Sequence, residues 1–242
     1  MLFPKTLSTL ILLVILAPFS HAQDINVYTD EWEGYTSRDG SGYYLDIINT
    51  IYPAPDYTVK INFVPFARSL EMVNTGKADI VLGVYKGDID EKLISSKQYV
   101  EIDEVDLLAH KSFAKTWQGL TSLTNKRVVA KIGFDFNNVI EQPMKYSETT
   151  SLVGMMKMLK AKRTDAVIDY RADIKKSWEK ADMNDDYVII NAIVTNETFF
   201  GFSAQSGKLR SRFESELQVL IKSGKLREIA KKHQLSESNI PK

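Results

Sequence analysis

The sequence predicts an α/β fold whose mainly parallel sheets are flanked by helices and divided between two lobes. Three observations lead to this prediction. Short apolar runs of strand length alternate with amphipathic helical segments along the chain. The run from Ala78 to Val84 is almost continuously apolar, which is typical of a parallel strand covered on both faces. After Val105 the alternation starts again, so we expect a second lobe.

The first half of this pattern contains three strands and two helices. The predicted strands are 25–28, 59–64 and 78–84, and the predicted helices are 44–52 and 67–75. Leu45, Ile48 and Ile51 recur at the spacing of one helix face. Gly76 is expected to end the second helix as a left-handed cap.

The second half repeats the alternation. The predicted strands are 105–110, 127–132, 165–168 and 188–190, and the helices are 152–162, a segment from Leu209 to Leu220, and 226–233. Met155 and Met156 lie on the apolar face of the helix over 152–162. We interpret them as core filling rather than as a ligand surface.

Residues 1–22 are typical of a secretory signal peptide. Lys5 precedes a nearly all-apolar stretch, and Ser20 and Ala22 are small residues around a cleavage site. The apolar stretch is about half of the roughly 20 residues that a membrane-spanning helix needs. We therefore expect a cleaved leader, a mature chain starting near Gln23, and a periplasmic location.

Composition excludes several classes of function. The chain has no cysteine, which rules out disulfides, a thiolate nucleophile and a lipid-modified cysteine. An exported protein without disulfides fits a bacterial periplasm. The leader holds one lysine and no acid, so the mature chain has 30 basic and 31 acidic residues. This balance does not favour nucleic acid or anionic lipid as a partner, and we expect a monomer without a cofactor.

Candidate site residues follow the predicted strands, because ligands of open α/β sheets bind beyond the carboxyl ends of the strands. Four of these exits combine an aromatic ring with a carboxylate. They are T-D-E-W-E-G-Y with Trp32 and Tyr35, Y-K-G-D with Tyr85, G-F-D-F with Phe134, Asp135 and Phe136, and D-Y-R-A-D with Asp169.

Rings and carboxylates together suit a small polar solute that is cationic or zwitterionic. A ring supplies apolar area and attracts cations, and a carboxylate fixes an ammonium or hydroxyl group. The structural alternative is that the rings close the ends of a core and the acids cap the following helices. The coincidence of four exits favours a binding cleft.

Several segments in order resemble the family 3 bacterial extracellular solute-binding proteins, the periplasmic receptors of polar amino acid ABC transporters. The segments are W-E-G-Y, G-S-G-Y-Y-L-D-I-I, P-F-A-R-S-L-E-M-V-N-T-G-K-A-D-I-V-L-G-V-Y-K and K-R-T-D-A-V-I-D. The similarity runs from about Asp24 to His233. It implies a two-lobed periplasmic binding protein-like clamp that holds a small polar solute and delivers it to a membrane permease.

The resemblance also implies where the lobes and the ligand contacts lie. The chain would cross between lobes near 107–111 and 197–202, which gives lobe one as 24–110 plus 197–242 and lobe two as 111–196. Trp32 would stack on the ligand with Tyr35 close by, Gly83 and Tyr85 would contact it, and Asp169 would bind its amino group.

One departure from the family pattern concerns the ligand's carboxylate. Receptors of this family usually carry T-P-E-R after the second exit, and its arginine pairs with the α-carboxylate. This chain has Asp90 there, and an acid cannot bind a carboxylate. The substitute positive charge could come from Lys86, Lys92 or Arg68. Arg68 is preferred because it begins a helix at the expected cleft rim, although a surface ion pair is an equal alternative. We therefore expect an amine, a modified amino acid or another small polar solute.

Two other functions stay open. One is a periplasmic dehydratase or lyase on the same scaffold, using paired carboxylates such as Asp169 with Asp173. His110 and His233 are isolated in the sequence, so no metal cluster or Ser-His pair is expected. The other is a sensor that reports ligand occupancy to a membrane kinase.

Overall fold

The computed structural model describes residues 22–89 and 92–242. The body of the predicted signal peptide and Asp90 lie outside these described residues. Within the described part of the chain, none of the helices is long and apolar enough to cross a membrane.

Nine strands and seven α-helices make up the described chain. The strands are β1 (Gln23–Thr29), β2 (Tyr57–Phe63), β3 (Ile80–Val84), β4 (Leu93–Ser95), β5 (Glu101–His110), β6 (Arg127–Lys131), β7 (Lys145–Thr149), β8 (Ala166–Asp169) and β9 (Tyr187–Ser203). The helices are α1 (Tyr43–Ile51), α2 (Phe66–Asn74), α3 (Lys111–Ala114), α4 (Leu152–Lys160), α5 (Arg171–Trp178), α6 (Gly207–Lys222) and α7 (Lys225–Lys232).

The strands form a sheet in the order β2-β1-β3-β9-β5-β8-β6-β7, and β4 adds to β9. As the sequence predicts, β1 runs parallel to β2 and β3, and β6 runs parallel to β7 and β8. The prediction of mainly parallel sheets is wrong for the centre of the sheet. There β5 and β9 pair antiparallel with each other and with their neighbours. The reason is that these two strands carry the chain from one parallel set to the other and back.

Strands β5 and β9 are therefore shared by both halves of the sheet. Residues Glu101 to Val105 pair with 194–198, and after a register shift 107–110 pair with 187–190. The two crossings inferred from the resemblance, 107–111 and 197–202, fall on these strands or at their ends. The lobe boundaries themselves stay predictions.

Apolar side chains pack on both sides of each parallel set. The first core contains the inward residues of β1, β3 and helix α1, including Val27, Leu82 and Ile48, none of which is exposed. A second cluster joins Leu108 and Val167 to Met155 and Met156 of α4. Both methionines are fully buried, which confirms them as core residues.

Candidate functional site

A cavity of about 570 Å³ opens where the two parallel sets meet β5 and β9. Its walls come from the loop after β1, helix α1, strands β3, β5 and β9, the start of α5 and the segment after α7. The lining residues are Trp32, Glu33, Gly34, Tyr35, Tyr44, Gly83, Glu101, Asp103, Glu104, Asp106, Tyr170, Arg171, Ala172, Asp173, Thr198, His233, Gln234, Leu235, Ser236 and Asn239.

The loop after β1 is a turn held by hydrogen bonds within the loop, and the rings of Trp32 and Tyr35 in this turn line the cavity. The N–H of Trp32 donates to the carbonyl of Thr36 at 3.1 Å, and the Thr36 hydroxyl donates to the carbonyl of Asp30 at 2.7 Å. Gly42 has a φ of 138°, and a Cβ there would lie 2.1 Å from the carbonyl oxygen of Tyr35. The glycine thus lets α1 begin directly against the turn.

Aromatic rings form one wall. The rings of Trp32 and Tyr44 meet edge to face with centroids 6.4 Å apart, and Tyr35 lies 5.0 Å from Tyr44. Gly83 completes the wall, since a Cβ at this residue would lie 2.8 Å from the Trp32 ring. These rings offer an apolar surface of the kind on which a small solute stacks.

Carboxylates on β5 form the floor. Glu101 and Asp103 are two residues apart in the strand, so both point to the cavity side. The Tyr44 hydroxyl donates to Glu101. The Tyr85 hydroxyl donates to Asp103 at 2.9 Å and lies 2.6 Å from the hydroxyl of Tyr170.

Burial dominates the protonation of these groups. Burial, followed by the neighbouring Asp103 carboxylate, raises the pKa of Glu101 well above its usual range. Burial also raises the pKa of Asp103 to about 6, although the hydrogen bond from Tyr85 opposes the rise. In the first turn of α5, burial raises the pKa of Asp173 to about 6. A cation placed among these groups would restore their ionised forms.

One hydroxyl of the floor lacks a partner. Thr198 of β9 lies directly opposite Glu101 in the ladder and is only 1% exposed, yet its Oγ1 has no hydrogen-bond partner among the described residues. The Nε1 of Trp32 is buried as well and has no partner within the part of the chain that the structure describes. Buried polar groups are normally hydrogen-bonded, so both atoms are suited to a ligand.

Acids outnumber bases around the cavity. Its lining carries six acidic side chains, but its basic ones are Arg171 and His233. Arg171 already forms a two-pronged pair with Asp106, at 2.7 and 3.1 Å. His233 Nε2 lies 2.7 Å from Asp46 of α1. The cavity therefore favours positively charged groups.

Asp169 lies beside the cavity rather than in its lining. It ends β8, is 1% exposed, and its Oδ1 accepts the N–H of Tyr170 at 2.8 Å. Its Oδ2 has no partner in the described part of the chain. Burial, with a further contribution from the Asp173 carboxylate, raises the pKa of Asp169 to about 8.

The nine site residues expected from the sequence divide into three groups. Trp32, Tyr35 and Gly83 line the cavity. Tyr85 stands behind the lining and supports Asp103, and Asp169 precedes the lining residue Tyr170. The other four, Phe134, Asp135, Phe136 and Arg68, are not among the lining residues.

The rings of the G-F-D-F exit pack against neighbouring rings and do not line the cavity. The ring of Phe134 lies 5.6 Å from Tyr170 and 6.1 Å from Phe66, and Phe136 is fully buried. Asp135 adopts a left-handed conformation with a φ of 44° at the start of a one-turn helix. The structural alternative, in which rings close the end of a core, describes this exit.

Arg68 is an exposed residue of α2 that pairs with Glu71 one turn later, at 2.5 Å. Both side chains are about half exposed. This is the surface ion pair that the sequence left open as an alternative to a cleft role.

The main lining residues that sequence reasoning missed are Glu101, Asp103 and Thr198. The stretch E-I-D-E-V-D at 101–106 contained a usable signal, because its first two acids occur at alternate positions of a strand. The prediction began that strand at Val105 and so left both acids outside it. For Thr198, no pattern in the sequence singles out the residue.

Within the described residues, there is no group of three or more histidine, aspartate or glutamate side chains that could hold a metal ion.

Comparison with known proteins gives a match in structure but not in sequence. No family model matches the chain, and no curated protein matches it. An ABC uptake transporter substrate-binding protein from Streptococcus pneumoniae with bound histidine is similar in structure, with a TM-score of 0.66, 20% identity, and coverage of 86% of this chain and 91% of that one. A mutant of ArgBP from T. maritima matches with a TM-score of 0.68 and 19% identity over 86% of this chain and 94% of that one.

A histidine kinase sensor domain with similarity to periplasmic binding proteins also matches, with a TM-score of 0.74 and 15% identity. The match covers 92% of this chain and all of that domain. At these identities the comparisons establish the fold. The α/β fold of periplasmic binding proteins, expected from the sequence, is confirmed.

Proposed function

We propose that this protein is a periplasmic solute-binding receptor that captures a small polar solute, amino acid-like or amine, and delivers it to an ABC permease. The observation that carries the proposal is the cavity between the two parallel sets. The rings of Trp32 and Tyr35 line it together with the carboxylates of Glu101 and Asp103, and the buried hydroxyl of Thr198 has no partner among the described residues. This combination of stacking surface and charge suits reversible capture.

The fold supports the same function. Structures with this fold include proteins described as substrate-binding proteins of ABC transporters, one of them with bound histidine. The leader-like residues 1–22 agree with export to the periplasm, where such a receptor meets its permease. We propose a monomer that works without a cofactor.

Capture would couple to closure of the two halves. The cavity takes Trp32 and Gly83 from one side of β5 and β9, and Tyr170 and Asp173 from the other. A solute that contacts both sides stabilises the arrangement in which they are close. The closed form would then present the permease with a surface that the open form lacks.

Titration calorimetry of the mature protein tests the proposal with a panel of amino acids, amines, sugars and organic acids. We expect saturable binding of at least one cationic or zwitterionic solute. Trp32→Ala should weaken that binding by about 1 to 3 kcal/mol, because the variant loses the stacking ring. Trp117→Ala is the matched control, since Trp117 packs against Phe113 away from the cavity lining.

If no member of the panel binds, the proposed receptor function is contradicted. Equal binding by the Trp32 and Trp117 variants would remove Trp32 from the site. Mass spectrometry of the bound solute distinguishes a receptor from an enzyme, because a dehydratase or lyase would convert the solute. Co-purification with a permease rather than a sensor kinase separates transport from sensing.

A further inference from the structure

The charges around the cavity are only partly balanced by the protein itself. Lys176 pairs with Glu33, and Arg171 pairs with Asp106. The remaining lining acids are Glu101, Asp103, Glu104 and Asp173, and within residues 22–89 and 92–242 none of them forms an ion pair. Positive charge on a bound solute would complement these groups.

A carboxylate-bearing solute would meet few suitable groups here. The Nε and Nη2 atoms of Arg171 are already bonded to Asp106, and His233 is bonded to Asp46. Trp32 Nε1 is a donor with no partner in residues 22–89 and 92–242, but a neutral N–H binds a carboxylate more weakly than a guanidinium does. A carboxylate in this cavity would also be repelled by the acids of β5.

The hydroxyl of Thr198, which has no partner in the described part of the chain, marks where one positive group would lie. It is 1% exposed, lines the cavity, and is paired in register with Glu101. An ammonium or guanidinium there could donate to the hydroxyl and to the carboxylates of Glu101 and Asp103 together. Asp173, in the first turn of α5, offers a second anionic position across the cavity.

We propose that the solute is a small dication without a carboxylate, such as a diamine or a guanidino-amine. This inference rests on the proposed receptor function and names the substrate class of the same site. One cationic group binds at Glu101, Asp103 and Thr198, and the other binds toward Asp173. The connecting methylenes lie against the ring of Trp32.

Solute pairs that differ only by a carboxylate give the sharpest test. Calorimetry of the mature protein compares cadaverine with L-lysine, and agmatine with L-arginine. We expect at least one decarboxylated member to bind about tenfold or more tightly than its amino acid, since like charges in contact cost several kcal/mol. Equal or tighter binding of the amino acid in both pairs would overturn the proposal.

Variants of the carboxylates locate the two positive groups. Asp103→Asn should weaken binding of the preferred dication about tenfold or more, because one charged hydrogen bond is lost. Asp173→Asn, at a half-buried position, should do the same and serves as the second variant if Asp103→Asn does not fold. Glu228→Gln, in an exposed pair with Lys225, is the matched control. Unchanged affinity in both cavity variants would overturn the placement.

The panel used for the receptor also separates the two proposals. If only an amino acid, a neutral sugar or an organic acid binds, the dication proposal fails and the receptor stands. If no solute binds, both fail.

Discussion

At the scale of single residues, Gly83 determines how closely the aromatic wall can approach β3. Its φ is 74°, and an added Cβ would lie 2.8 Å from the Trp32 ring. Gly83→Ala should lower the free energy of unfolding by about 1 to 3 kcal/mol, because the variant strains the backbone and displaces the ring. Urea denaturation measures this loss.

Gly87→Ala is the control for this prediction. No atom lies within 4 Å of a Cβ built on Gly87, and its φ is not positive. We expect a change of no more than about 0.5 kcal/mol, as for most surface substitutions. Similar losses in both variants would show that the contact with Trp32 does not matter.

Asp169 makes stability depend on pH in a direction unusual for a carboxylate. Its pKa is about 8 in the folded protein against an ordinary 3.8. Between these values the folded state holds a proton that the unfolded state releases, so the free energy of unfolding falls as pH rises. This group contributes up to about 1.4 kcal/mol per pH unit in that window.

Urea denaturation of the ligand-free protein at pH 5 and pH 7.5 measures the effect. Asp169→Asn should reduce the loss of stability between the two pH values. Asp165→Asn is the control, because Arg127 holds the pKa of Asp165 below its ordinary value and its titration falls below this window. An unchanged pH dependence in the Asp169 variant would contradict the assignment.

Sequence patterns single out individual residues where the local chemistry is distinctive. Trp32 and Tyr35 in an acidic loop, and Gly83 next to a tyrosine, were singled out by sequence and do line the cavity. Glu101 was missed because its role depends on the register of β5 against β9. Register between strands so distant in sequence is a tertiary property that local patterns do not contain.

At the scale of elements, two ion pairs link the loop after β1 to the other half of the sheet. Lys131, at the end of β6, lies 2.7 Å from Asp30, and these side chains are 25% and 17% exposed. Lys176 of α5 lies 2.7 Å from Glu33, and those side chains are 49% and 54% exposed. The nitrogen-to-oxygen distances of the two ion pairs are equal, so the pairs differ in how far their side chains are buried.

Burial predicts unequal contributions to stability. Lys131→Ala should cost about 1 to 3 kcal/mol, since it leaves the half-buried Asp30 near Asp169 and Asp173 without a cation. Lys176→Ala should cost at most about 1 kcal/mol, as exposed pairs do. Urea denaturation of the two variants compares them, and equal losses would refute the role of burial.

Element prediction worked where apolar periodicity was strong and failed where it was interrupted. Helix α1 and strand β3 lie within two residues of their predicted bounds. Strand β9 extends over 17 residues, whereas 188–190 was predicted. Its middle, N-A-I-V-T-N-E-T, is rich in polar residues because both faces are only partly covered as the strand passes between the two parallel sets.

At the scale of the whole molecule, overall charge is a poor guide to the site. The chain has equal numbers of basic and acidic side chains, yet six acids converge on one cavity. Sequence order predicted the α/β class and the restart of the pattern, since both are repeated local signals. The concentration of charge depends on folding, which brings 33, 101 and 173 to one place.

The pairing of Glu101 with Thr198 has an evolutionary consequence. The two residues are partners in the ladder of β5 and β9, which is held by backbone hydrogen bonds rather than by side chains. Exchanging this pair alone would alter the charge preference of the cavity while the loops and helices kept their shape. Proteins with this fold could thus diverge in ligand preference through substitutions at one pair of facing residues in the sheet.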